Sequence, residues 1–122
     1  MMVTDFRTIP VHATLQQAAD LLLSGEQREF PVVDNLGRTE GILTRDNLIK
    51  GLSGLGPDGI VGQAMTTDAP SVPPTLGFQE ALDRLRASGL PALPVVDGNG
   101  ALVGLLTRDN ITDLLLVRGA RR

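Results

Sequence analysis

The chain has 122 residues and a mass of 12.9 kDa, which is the size of one ordinary folded domain. Its net charge is −3 and its aromatic residues are three Phe, without Tyr or Trp, so we expect neither a basic surface nor stacking platforms for a nucleic acid. It has no Cys and a single His, His12, which excludes disulfides, iron–sulfur clusters and metal centres built from several His.

The apolar runs of the sequence are short. One of the longest, residues 114–117, is far below the roughly 20 residues that span a bilayer. We expect no signal segment at the start of the chain, and no nucleophile and base can be paired from its residues. The sequence therefore predicts a cytoplasmic, non-enzymatic and metal-free soluble domain.

The sequence repeats itself 63 residues further on. Residues 31–34, Pro-Val-Val-Asp, recur at that distance, and so do residues 43–47, Leu-Thr-Arg-Asp-Asn. Aligning residues 2–52 with 65–115 without a gap gives 20 identities in 51 positions. A match of this extent indicates a tandem duplication.

The duplication sets the expected domain organisation. We predict a first repeat over residues 1–52 and a second repeat over residues 65–122. Residues 53–64, which are rich in Gly, are expected to be the linker between them. Because a repeat of roughly 60 residues would be marginally stable alone, we expect the two to pack as one pseudo-two-fold body.

The first repeat predicts the element order β-α-β-β-α, which makes the fold α+β. A short extended segment at residues 7–10 precedes a helix, which Thr14 caps with Gln17 at the spacing of a capping box. Strands follow at residues 30–34 and 40–43. The apolar stripe of this helix has the spacing i, i+3, i+4, i+7 and consists of Leu15, Ala18, Ala19 and Leu22.

The second repeat predicts the same elements. Its extended segment is at residues 70–73, and Gly77 stands at the cap position of its first helix. Strands are expected at residues 93–97 and 102–106, and a final helix opens at Thr107.

The last helix of each repeat begins with a Thr, Thr44 or Thr107, and an Asn three residues later, Asn47 or Asn110. Thr and Asn at this spacing suit an N-cap and its reciprocal partner. A helix N-terminus also attracts anions, because its first N–H groups are unpaired and carry partial positive charge. Both interpretations, a structural cap and a ligand contact, remain open at this point.

Two such copies, each with an apolar-Pro-Val-Val-Asp strand and a Gly-x-x-Thr-x-x-Asn strand-to-helix turn, resemble a tandem pair of CBS (cystathionine β-synthase) domains, which is called a Bateman module. The resemblance covers nearly the whole chain. It implies a non-enzymatic regulatory module that binds an adenosine-containing ligand (AMP, ADP, ATP or S-adenosylmethionine) in clefts between the repeats and signals to a partner or parent domain. It also implies a homodimer that requires no cofactor.

The resemblance further implies a set of ligand-binding residues. In the family, the Thr of the turn contacts phosphate, the residue three positions later holds the ribose hydroxyls, and apolar residues enclose the adenine. An Arg beside the Thr lies within reach of a phosphate. Transferred to this sequence, the set consists of Thr8, Ile9, Phe30, Pro31, Thr44, Arg45 and Asn47 in the first repeat, and of Ser71, Val72, Leu93, Pro94, Thr107, Arg108 and Asn110 in the second.

The chain departs from the family at the ribose position, where Asn47 and Asn110 replace the usual Asp. An amide has one acceptor oxygen and no charge, so on the order of 1–2 kcal/mol per site is lost relative to a carboxylate. The alternative function is therefore a ligand-free dimerisation or scaffold module of a larger protein. The apolar runs at residues 21–23 and 114–117 are broad enough for a subunit interface.

Residues 5–8, 90–97 and 110–118 are also similar to the CBS pair at the C-terminus of bacterial site-2-type intramembrane zinc proteases. The chain has no His-Glu-x-x-His motif. It would therefore be only the regulatory piece of such an enzyme, with a membrane protein as its parent.

Overall fold

The structure is a computed structural model that describes residues 6–108. These residues form two compact units, 6–68 and 69–108, and each is described by itself. The helix expected after Thr107, together with Asn110 and the apolar run at residues 114–117, lies outside the described residues.

The first unit has the predicted order β-α-β-β-α, followed by one additional short helix. The sheet order is β1-β2-β3, with β1 parallel to β2 and β2 antiparallel to β3. The elements of this unit are β1 (Ile9–Pro10), α1 (Leu15–Leu23), β2 (Phe30–Val33), β3 (Thr39–Leu43), α2 (Arg45–Leu55) and α3 (Val61–Ala64).

Helix α1 begins as the sequence predicts. The Thr14 hydroxyl oxygen accepts a hydrogen bond from the Gln17 N–H at 3.2 Å, and the Gln17 side-chain oxygen accepts one from the Thr14 N–H at 2.9 Å. This reciprocal pair is the predicted capping box. Leu15 and Ala18 are fully buried, and Leu22 packs against the same core while Leu23 is exposed. The predicted stripe therefore faces the core.

The segment predicted as a linker is a packed part of the first unit. Helix α2 continues to Leu55, and Val61 at the start of α3 is fully buried in the core. The Val61 N–H donates to the Ala13 carbonyl at 2.8 Å, and the Gly62 N–H donates to the Val11 carbonyl at 2.9 Å. A Cβ on Gly62 would lie 2.9 Å from a Val11 methyl group. The Gly residues here permit close packing, so their frequency does not indicate a flexible connection.

The second unit contains α4 (Phe78–Ser88), β4 (Ala92–Val96) and β5 (Leu102–Thr107). Strands β4 and β5 are antiparallel, and α4 begins after Gly77 as predicted. The extended segment predicted at residues 70–73 makes a single parallel bridge, from Val72 to Val95.

The β-hairpins of the two units share their details. Each has an irregularity between the two Val residues of its Pro-Val-Val-Asp motif, and each turn uses a Gly with positive φ, 79° at Gly37 and 83° at Gly100. One carboxylate oxygen of Asp34, and likewise one of Asp97, accepts two backbone N–H groups of its turn. The repeated Asp is therefore a turn residue.

Candidate functional site

The apolar part of the candidate site comes from the strand register of the first unit. Phe30 at the start of β2 lies opposite Leu43 at the end of β3, two residues before α2 begins. Phe30 and Pro31 are buried, and Ile9 on the other side of β2 is 3% exposed. Thr8 precedes Ile9 and is exposed. The sheet thus brings the predicted adenine contacts of the first repeat to one end.

Thr44 forms the polar part of the site at the start of α2. Its side chain is buried, and its hydroxyl oxygen accepts a hydrogen bond from the Asn47 N–H at 3.0 Å. The Asn47 side-chain oxygen accepts the Thr44 N–H at 3.2 Å, which completes a capping box. Thr44 and Asn47 therefore form the cap and reciprocal partner that the sequence predicts. The other N–H groups of the first turn still give this end of α2 a partial positive charge.

The Asn47 side chain has a second internal partner. The Thr66 hydroxyl donates to the Asn47 Oδ1 atom at 3.1 Å. The carboxamide oxygen has two lone pairs, and the Thr44 N–H and the Thr66 hydroxyl occupy both. The amide Nδ2 group is therefore the part of Asn47 that remains for another partner.

Thr66 is a site residue that the sequence analysis missed. It is held beside β3 by two backbone hydrogen bonds with Ile42, of 2.8 and 3.0 Å. The sequence around it, Met65-Thr-Thr-Asp68, repeats Met2-Val-Thr-Asp5, and so it was assigned to the second repeat. Nothing in that pattern indicates which unit the segment packs against, because strand pairing over this distance is set by the tertiary fold.

In the second unit, the predicted residues also lie at one end of the sheet. Leu93 and Pro94 are buried on β4, and Ser71, which is exposed, precedes the bridge residue Val72. Thr107 is half-buried and is still part of β5, where it lies opposite Ala92.

The charged side chains of the candidate site are Arg45 and Arg108, and both are exposed. Each directly follows the Thr at a predicted strand-to-helix turn, so each guanidinium is accessible to a phosphate at that turn. Within residues 6–108 no group of three or more His, Asp or Glu could hold a metal ion. None of the helices in that range is long and apolar enough to span a membrane.

Repeated β-α-β-β elements with a Gly-x-x-Thr turn define a pair of small α+β domains. The sequence profile of the CBS domain matches the chain twice, over residues 1–54 and 61–117. The chain therefore belongs to the CBS domain family, and its two domains make it an α+β Bateman module.

Known proteins similar to the chain agree with this assignment. Over 113 residues it is 29% identical to an inosine-5′-monophosphate dehydrogenase of Nitrosopumilus maritimus; the alignment covers 93% of the chain and 23% of that enzyme. A crystal structure of a putative acetoin utilization protein (AcuB) from Vibrio cholerae superposes with a TM-score of 0.84 at 27% identity, covering 99% of this chain and 90% of that one. The crystal structure of CBSX2 in complex with AMP gives a TM-score of 0.83 at 25% identity, covering 99% of this chain and 95% of that one.

Proposed function

We propose that the protein is a non-enzymatic regulatory module that binds an adenosine-containing ligand and transmits its presence to a partner or parent domain. The ligand class is AMP, ADP, ATP or S-adenosylmethionine. The observation that carries the proposal is the first unit's buried Thr44 cap, which lies beside the apolar end formed by Ile9 and Phe30. The similarity to a structure in complex with AMP supports the same ligand class.

The chemistry of each part of the site suits one part of a nucleotide. Ile9 and Phe30 belong to the core of the first unit and, with Pro31, are almost fully buried in the ligand-free protein. We expect an adenine ring to pack against this apolar end of the sheet. The start of α2 offers unpaired N–H groups, the Thr44 hydroxyl and the Arg45 guanidinium to a phosphate. The corresponding contacts of the second unit are Ser71, Val72, Leu93, Pro94, Thr107, Arg108 and Asn110.

Signalling by such a module requires a difference in affinity between two conformations. A ligand that binds both conformations with equal affinity does not shift the equilibrium between them, however tightly it binds. The regulatory proposal therefore predicts that the ligand changes the conformation or the partner affinity of the protein, as well as its stability.

Isothermal titration calorimetry with AMP, ATP and S-adenosylmethionine at millimolar concentration tests the proposal. We expect at least one of them to bind. We also expect Arg45→Ala to weaken the binding of ATP more than the binding of adenosine, because only ATP places a negative charge at the start of α2. The matched control is Arg38→Ala, which removes an exposed Arg from the hairpin turn instead. Absence of binding by all three ligands would contradict the proposal.

A second candidate function is a ligand-free dimerisation or scaffold module. Two observations favour it: the Asn47 oxygen is engaged internally, and the exposed large apolar side chains include Leu23, Ile49 and Leu55. It predicts a homodimer whose melting temperature does not respond to nucleotides. Because both functions are compatible with a homodimer, thermal unfolding with and without AMP or ATP separates them: the scaffold module shows no shift. Sedimentation of the wild type and of Leu23→Lys tests whether this exposed side chain belongs to the dimer interface.

The parent protein and its location belong to the same proposal. Because the chain spans only 23% of the dehydrogenase it matches, the activity of that enzyme does not transfer to it. We place the module in the cytoplasm, as the regulatory part of a larger protein such as a site-2-type membrane protease. Purifying the intact protein from its native cells and identifying the domains or proteins attached to it tests this placement.

A further inference from the structure

We infer that an apolar cavity in the second unit is a docking site for a polypeptide segment of a partner domain. The segment carries an aliphatic side chain, which enters the cavity, followed by a small residue, and it binds the second unit as α3 binds the first. The inference is independent of the nucleotide proposal, because this docking requires no ligand.

The cavity lies between α4 and the strands of the second unit and has a volume of about 160 Å³. Most of its lining is buried, whereas Pro73 and Pro74 are exposed, so the cavity opens to the surface on their side. An apolar cavity of about 150 Å³ takes up a molecule as large as benzene, so an aliphatic side chain fits here. The other lining residues are Val72, Leu76, Ala81, Val95 and Leu106.

The first unit shows what covers the corresponding surface. Two backbone hydrogen bonds hold α3 there, from the Val61 N–H to the Ala13 carbonyl at 2.8 Å and from the Gly62 N–H to the Val11 carbonyl at 2.9 Å. The Val61 side chain is fully buried in the core. A small residue follows it because a Cβ on Gly62 would lie 2.9 Å from a Val11 methyl group. The core residues that correspond to the cavity lining, 63 positions earlier, are Ile9, Val11, Ala13, Ala18, Val32 and Leu43.

The second unit offers the same backbone acceptors at the mouth of the cavity. The turn that presents them is repeated: the Ala13 N–H donates to the Pro10 carbonyl at 3.0 Å. Likewise, the Leu76 N–H donates to the Pro73 carbonyl at 3.2 Å. The carbonyls that correspond to those holding α3 belong to Pro74 and Leu76, and neither accepts a hydrogen bond from the part of the chain that the structure describes. Main-chain bonds beside a side-chain pocket are a recurring mode of peptide recognition.

The repeat register indicates where the segment comes from. Residues 1–5 correspond to residues 64–68, which begin after the buried Val of α3. Residues 109–122 correspond to residues 46–59, which precede α3. Neither range contains a counterpart of that Val, and α3 itself is engaged in the first unit. We therefore assign the docking segment to a partner domain.

Methyl NMR spectroscopy of the full chain without nucleotide tests the inference. The probe is a synthetic peptide with the sequence of residues 60–66, Ile-Val-Gly-Gln-Ala-Met-Thr. We expect the methyl resonances of Val72 and Val95 to shift saturably with a Kd of about 1–10 mM, because one buried side chain and two main-chain bonds give weak binding. The methyl resonances of Ile9 and Val32 are the matched control. They should not shift, because α3 already covers their core.

Two altered peptides separate the parts of the contact. Val61→Asp in the peptide places a charge in the apolar cavity and should weaken binding at least about tenfold. N-methylation of the Gly62 nitrogen removes the hydrogen bond to the Pro74 carbonyl and keeps the aliphatic side chain. It should weaken binding about fivefold.

Three results would overturn the inference. The first is no response of the cavity methyl groups to the unaltered peptide, and the second is equal binding of the unaltered and the Asp peptides. The third is a set of Overhauser contacts in the free protein from the Leu76 methyl groups to residues 1–5 or 109–122, which would show that the chain fills its own cavity. Because no nucleotide is present, all three would leave the proposed function intact, and failure of the calorimetric titrations would leave the docking site intact.

Discussion

Replacing Thr44 by Ala should destabilise the first unit, because it removes the hydroxyl that caps α2. The lost bond is the one from the Asn47 N–H, which is 3.0 Å long. Loss of an N-cap side chain costs about 1 kcal/mol, within a range of about 0.5–2 kcal/mol. Thr44 is only 7% exposed, so water does not easily replace the hydroxyl, and we expect the upper half of that range. In a domain of this size each kcal/mol lowers the melting temperature by roughly 4–8 °C.

The assay is thermal and urea unfolding of the ligand-free protein, followed by circular dichroism. Thr44→Ser is the control: it keeps the hydroxyl and loses one methyl group, so its free energy of unfolding should fall by less than half as much. If the Ala variant unfolds at the temperature of the wild type, the Thr44 hydroxyl does not hold the start of α2 and the reasoning is refuted. Thr44→Ser should also bind AMP as the wild type does, since it retains both the cap and the hydroxyl that we propose contacts the phosphate.

Two further predictions concern packing and pH. Gly51 and Gly54 both lie in α2, but a Cβ on Gly51 would lie 2.9 Å from a methyl group of α1, whereas one on Gly54 meets nothing within 4 Å. Gly54→Ala should therefore stabilise by about 0.5–1 kcal/mol through helix propensity, and Gly51→Ala should be about 1–3 kcal/mol less stable than Gly54→Ala in urea unfolding. Backbone N–H donation from Arg38, then from Leu36, lowers the pKa of Asp34 below its usual 3.8. The ionised Asp34 carboxylate therefore stabilises the folded protein above pH 3.8, and this stabilisation is lost as the pH falls through the lower folded-state pKa. Asp34→Asn should flatten the loss of stability between about pH 5 and pH 2. An acid-unfolding profile equal to that of the wild type would contradict this prediction.

Much of the first unit could be predicted because its signals are local. The capping box at Thr14, the stripe that includes Leu15 and Ala18, and the turn at Gly37 each depend on residues a few positions apart. The same applies to the α2 cap. Internal repetition then transferred the element order and the hairpin turn to the second half, where α4, β4 and β5 appear at the corresponding positions, although α4 begins after Gly77 without a side-chain cap.

The parts that the sequence did not predict depend on contacts between distant residues. The hydrogen bond from Thr66 to Asn47 joins residues 19 positions apart, and Val61 is buried against elements that precede it by dozens of residues. The Gly content of residues 53–64 is equally compatible with a flexible chain and with close packing, so composition alone could not distinguish them. The binding roles of the predicted site residues remain predictions for the titrations described above.

The packing of α3 determines where the protein should be divided if its halves are to be expressed separately. A cut after Leu52 would remove the buried side chain of Val61 from the first half and expose Ala13 and Val11, whose carbonyls hold that segment. A cut after Asp68 follows the boundary of the compact unit and keeps the Thr66 hydroxyl with its acceptor. Truncations designed from the repeat alone would thus yield a first half that lacks part of its own interior.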